Sequence, residues 1–168
     1  MMDRTYYTTM AEYNQWMNQK IYSACESISD FDRKVDRGAF FKSIHGTLDH
    51  ILWADRMWLS RFMQQTPPAV KLGELLYPNF EDLQQQRCIT DRAILAWAET
   101  LTPEWLNRVF TWRSGLDGQT RSQPTWILVT HFFNHQTHHR GQVTTLLTQL
   151  GHDIGSTDLP WMPSLIEK

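Results

Sequence analysis

The sequence predicts an all-α protein built as a four-helix bundle, with a small β-hairpin before the last helix. Three observations carry this expectation. Four long segments repeat apolar residues every three or four positions, the period of a helix with one buried face. A long connection bearing Pro67, Pro68, Gly73 and Pro78 separates the second segment from the third. Four histidines, His131, His135, His138 and His139, crowd the middle of the last segment. Bundles build metal sites in this way, from side chains on facing helices.

The first helix is expected over Thr8–Ile28, where Met10, Tyr13, Met17, Ile21 and Ala24 make the stripe and Thr8 or Thr9 caps it. Asn14 and Asn18 lie one turn apart beside that stripe. They read either as surface amides or as residues that line a pocket or brace another helix. Asp30–Gly38 is polar, ends in glycine and reads as a loop. The second helix runs from Ala39 or Ser43 to about Met63, on Ile44, Leu48, Ile51, Leu52, Trp58, Leu59 and Phe62, with Gly46 as its weak point.

Gln64–Asn79 is the longest connection, with a short turn expected at Leu72–Leu76. A loop of this length in a compact domain is often functional or covers a pocket. The third helix starts at Asn79 or Glu81. Leu83, Arg87 with Cys88, Ile94, Leu95, Ala98 and Leu101 follow its period, and Asp91, Arg92 and Glu99 read as a solvated face. VFTWRS, GLDG and Gln119–Gln123 form the hairpin signal. Pro124 suits the first turn of the fourth helix, which Gly151 ends. In the tail, Trp161 and Leu165 are expected to pack across the bundle.

Composition bounds the function. With 168 residues, 41% hydrophobic and 20% charged, residues 1–168 read as one globular domain. A net charge of −2 without a basic run gives no footprint for nucleic acid. Neither a spanning apolar run nor a signal-peptide core is present, so membrane partners are not expected and the cytoplasm is the default location. Cys25 and Cys88 have no metal-binding or redox spacing and read as structural thiols. P-loop, GxGxxG, GxSxG and CxxC patterns are absent, and no glutamate follows a histidine as HExxH would require.

That leaves the histidines. Positions 131, 135, 139 and 142 form one helical stripe, with 138 about 60° to the side. His131, His135, His139 and Gln142 therefore share a face that His138 flanks. Two imidazoles one turn apart can close on one metal ion. The bland alternative is a polar seam, but clustered buried imidazoles need partners and invite protonation near neutral pH. Spacing does not choose between the pairs His131/His135 and His135/His139. A third ligand must come from another element, and the second helix offers His45 and His50, with Asp49 and Asp55 as carboxylate options. Three imidazoles with an open position suit zinc, nickel or ferrous iron and leave room for substrate.

HFFNHQTHHRGQVTTLLTQLG resembles the C-terminal signature of the DinB/YfiT-like metalloenzyme superfamily. FFKSIHGTLDHILWADRMWLSRF and MAEYNQWMNQKIY are similar to that family's second- and first-helix patterns, so the resemblance spans about Met10 to Gly151. It implies a four-helix bundle of up-down-down-up topology. It also implies a divalent metal, zinc or nickel with iron or manganese as further options, held by His50, His135 and His139. His131, His138, Gln142 and Asn14 are then left to line the pocket or hold the ligands in place. A homodimer is implied as well. Characterised relatives include thiol-dependent isomerases and S-transferases, which implies activation of a low-molecular-weight thiol for attack on a small-molecule substrate. Activation of water by a hydrolase, or a non-catalytic metal-binding role in stress, are the competing expectations.

Overall fold

The computed structural model describes residues 4–71, 73–115 and 117–166. Four long helices dominate: α1 (Arg4–Glu26), α3 (Ile44–Met63), α4 (Phe80–Ala98) and α6 (Thr125–Gln149). Between them lie the short helices α2 (Asp30–Lys34) and α5 (Pro103–Leu106) and an antiparallel pair, β1 (Val109–Arg113) and β2 (Thr120–Pro124). A 3-10 turn at Leu159–Trp161 and α7 (Pro163–Ile166) follow α6. No described helix is long and apolar enough to cross a membrane.

The long helices close a ring in which α1 packs on α4 and α6, and α3 packs on the same two. Side-chain pairs fix their directions. Tyr22 stacks on Phe80 while Asn18 reaches Asp91, so α1 and α4 are antiparallel. Asp55 meets Arg87 and Phe62 meets Trp97, so α3 and α4 are parallel. His50 meets His135 and Phe62 meets Phe132, so α3 and α6 are antiparallel. The order along the chain is up, down, down, up.

Several local expectations shift for physical reasons. α1 begins before Thr8, whose hydroxyl donates back to the Arg4 carbonyl rather than capping. The expected loop at Asp30–Gly38 contains α2. The Ser29 hydroxyl accepts from the Asp32 N–H, and the charges run acidic to basic along the helix dipole. Ser43 caps α3 through the Gly46 N–H, and Asn79 caps α4 through the Asp82 N–H. Pro124 ends β2, so α6 starts one residue later than a Pro-first helix would. Trp161 and Leu165 are exposed; Ile154 and Met162 are the buried residues of the tail. Leu72 of the expected short turn and Leu116 of the hairpin tip lie outside the described residues.

Two apolar clusters fill the bundle. One gathers Met17, Ile21, Leu48, Leu52, Leu83 and Leu147; the other gathers Tyr7, Phe62, Ile94, Trp97 and Phe132. A buried polar layer contributed by all four long helices separates them. Arg87 pairs with Asp55 at 2.6 Å and with Asp91 at 2.9 Å. Asp91 also accepts from Asn14 at 3.1 Å and Asn18 at 2.9 Å, and Gln136 donates to Asp55 at 2.9 Å. The Arg140 guanidinium completes the layer by donating to the Asn14 side-chain oxygen. Two aspartates balance two arginines, which is how buried charge is tolerated.

This layer corrects two sequence expectations. Asp91 is buried rather than solvated, because its charge is answered across the bundle by Arg87. Cys88, grouped with Arg87 on the apolar stripe, is exposed, while Cys25 is buried with its thiol pushed up to about 12 by desolvation.

Candidate metal centre

The site forms where the middle of α6 faces the first half of α3. Both helices present one turn each: His135 and His139 from α6, His50 from α3. One ring nitrogen of each lies within 4.8 Å of the others. The Nε2 atoms of His50 and His135 are 3.1 Å apart. Nitrogens each about 2.05 Å from a common ion are separated by about 3.3 Å in a tetrahedral shell and about 2.9 Å in an octahedral one. The observed pair lies between those two edges. Without a cation, two imidazole nitrogens at that distance share at most one proton in one hydrogen bond.

The rings are held in the form a metal requires. Burial pushes both His50 and His135 down to about 3, helped by the neighbouring imidazoles, so both are neutral at physiological pH. Burial also lowers His139, and a bond to Gln142 partly opposes it. His139 Nδ1 lies 2.8 Å from Gln142 Oε1. An amide oxygen only accepts, so Nδ1 carries the proton and Nε2 keeps its lone pair. The same amide's nitrogen faces His138 Nε2 at 3.4 Å. Phe41 stacks on His50 with centroids 3.6 Å apart and touches His139 edge-on at 5.5 Å, and Trp53 is roughly parallel to His50 on the same wall.

Each expected residue can now be placed. His50, His135 and His139 come together. His131 is exposed, one turn from His135, with its ring against Trp58 at 5.5 Å. His138 is exposed and borders the centre, its ring edge-on to His139 and facing the Gln142 amide. Asn14 is part of the buried polar layer, where its partners are Asp91 and Arg140. His45 is turned elsewhere, its Nε2 bonded to the Tyr77 carbonyl at 2.8 Å. Neither carboxylate option is free for a metal. Asp49 accepts the Leu76 and Tyr77 backbone N–H groups at 2.8 Å each, and Asp55 is bound to Arg87 and Gln136.

Phe41 is the residue that sequence reasoning passed over. It precedes α3 in a tight turn, where Lys42 has φ 66° and a bridge joins Ala39 to Lys42. The one available signal was the Phe40–Phe41 pair just before the Ser43 cap. The long connection also takes part. Asp49, His45 and Trp53 of α3 bind its backbone at Leu76, Tyr77 and Val70, and Gly73–Leu75 lie over a cavity that reaches His50.

The DinB family model matches residues 1–168. Protein DinB of Bacillus subtilis (strain 168) is 27% identical over 154 residues, covering 88% of this chain and 87% of the relative.

Proposed function

Because the chain belongs to the DinB family, we propose that it is a divalent-metal-binding enzyme that activates a low-molecular-weight thiol for S-transfer. His50, His135 and His139 would hold the ion, zinc or nickel by donor type, with iron or manganese as alternatives. The observation that carries this reading is the convergence of three imidazoles, His50 and His135 held neutral by burial with nitrogens 3.1 Å apart and the buried His139 beside them. When bound by three protein ligands, such an ion supplies Lewis acidity at its remaining position, which lowers the pKa of a thiol there.

The chain's own residues do the rest. Gln142 holds the His139 tautomer. Phe41 and Trp53 pack along the His50 ring and set its orientation. His131, exposed and one turn from His135, flanks the centre with its ring against His135. The homodimer belongs to this proposal on family resemblance and the cytoplasmic location on the sequence reading, and light scattering tests the first.

The test pairs metal with chemistry. Purified wild type should carry one divalent ion per chain, and His50→Ala and His139→Ala should lose it. Wild type should then conjugate a small thiol to an electrophile, at a rate that falls with metal removal and returns on reloading. Stoichiometric metal in both variants would sink the triad. Metal-dependent ester or amide cleavage with no thiol dependence would replace S-transfer by hydrolysis.

A further inference from the structure

A cavity of about 560 Å³ opens beside the histidine triad, between the turn before α3, the first turns of α3 and the Gly73–Leu75 stretch of the long connection. That volume is typical of small-molecule sites, which span about 300–1,000 Å³. His50 belongs both to this cavity wall and to the triad. The rest of the wall is largely aromatic and apolar, from Phe40, Phe41, Trp53 and Leu75. Phe40 is 81% exposed at the rim and Leu75 is 44% exposed, which leaves apolar surface in water unless something covers it.

The charges on the wall cancel. Lys34 is bound to Asp30 at 2.8 Å, and both Asp49 oxygens accept backbone N–H groups. Lys42 and Glu74 remain, one of each sign and both exposed. A charged ligand would be desolvated here without a dedicated counter-charge. We propose that this cavity binds the flat, uncharged aromatic body of the substrate and brings its electrophilic atom to the His50 edge of the centre. The binding stands on the cavity alone; its role as the substrate subsite rests on the metal-centre reading above.

Three naphthalene probes test it on the full-length protein, as purified and after zinc loading: neutral naphthalene-2-methanol, anionic naphthalene-2-sulfonate and cationic 2-naphthylmethylammonium. Binding is read by calorimetry and zinc by elemental analysis of the same samples. The neutral probe should bind at least ten-fold more tightly than either charged one. Trp53→Ala should weaken it at least five-fold. Leu75→Lys, a change at an exposed position, should shift preference toward the sulfonate. Trp105→Ala, in the separate apolar hollow lined by Phe62, Trp97 and Trp105, should change nothing. Equal affinity for all three probes, or neutral binding indifferent to both Trp53→Ala and Leu75→Lys, overturns the cavity assignment. Full zinc occupancy without probe binding overturns the cavity and leaves the metal reading standing. Probe binding without zinc uptake leaves the cavity and removes its role as a substrate subsite.

Discussion

Gly46→Ala should destabilise the protein, although the same change at an ordinary helix position stabilises it. In a helix interior, replacing glycine by alanine gains about 1 kcal/mol from backbone entropy. Gly46 lies in the first turn of α3, and a Cβ there would sit 2.4 Å from the Phe41 carbonyl oxygen and 3.2 Å from Ser43 Oγ. The first contact is with backbone, so a side-chain rotation cannot relieve it. The Phe41 carbonyl must move by about 1 Å to restore normal contact, and overpacking of this kind costs about 1–3 kcal/mol. The same carbonyl accepts the Ser43 N–H at 2.8 Å, and Ser43 caps the helix through Gly46, so the cap is strained with it. Because backbone and the helix cap must move together, the cost falls in the upper part of that range, about 2–3 kcal/mol, and exceeds the entropy gain by about 1–2 kcal/mol. For a chain of this size that lowers Tm by about 2–8 °C. Urea unfolding of the metal-free protein reads the stability. Because Phe41 stacks on His50, metal affinity should fall as well, and chelator competition reads that. A variant as stable as wild type, or more stable, would refute the reasoning about this turn.

Three further outcomes follow from the same geometry. Gln142→Leu removes the acceptor that fixes His139, so metal affinity should fall about ten-fold, the low end of the usual 10- to 100-fold range because Gln142 is only half-buried and water can replace it; unchanged affinity in a chelator titration contradicts this. Asp55→Leu leaves Arg87 with only Asp91 as counter-charge and Gln136 without its acceptor, so it should cost about 3–5 kcal/mol in urea unfolding, and a loss below 1 kcal/mol would show the polar layer to be incidental. With His50 and His135 near 3, protons barely compete for these two ligands between pH 7.5 and 5, whereas each imidazole of ordinary pKa would cost about 30-fold in affinity over that range. Stability of the metal-free protein should run the other way. Folded-state values depressed below the unfolded 6.5 mean that the unfolded chain binds more protons, so stability present above about pH 6.5 is lost as pH falls toward 3. A steep loss of metal between pH 7 and 6 would contradict the burial of these rings.

The long helices and half of the candidate centre were legible in the sequence because both follow from local spacing. Apolar residues three and four apart located α1, α3, α4 and α6, and two histidines one turn apart announced a chelating pair. Spacing alone left His135/His139 and His131/His135 equivalent and only the family resemblance chose between them, because the turn of α6 that faces α3 is set by the partner helix. His45 and His50 were likewise separated only by the resemblance, and the bond from His45 to the Tyr77 carbonyl gives the physical reason. The buried polar layer was hidden for a related reason. Asp91 on α4 looks like a solvated charge when its helix is considered alone, and its partners Asn14 and Asn18 are more than seventy residues away. Trp126 and Ile127, apolar by type, are exposed, while Thr125, Leu128 and Val129 of the same turns are the ones that face the bundle.

The central claim is that His50, His135 and His139 bind one metal ion together. Anomalous diffraction from zinc-loaded crystals, collected on both sides of the zinc edge, tests it most directly. A single peak within about 2.0–2.1 Å of one nitrogen from each of the three rings is the expected result. A fully occupied peak elsewhere, or none between these rings at saturating zinc, would contradict it.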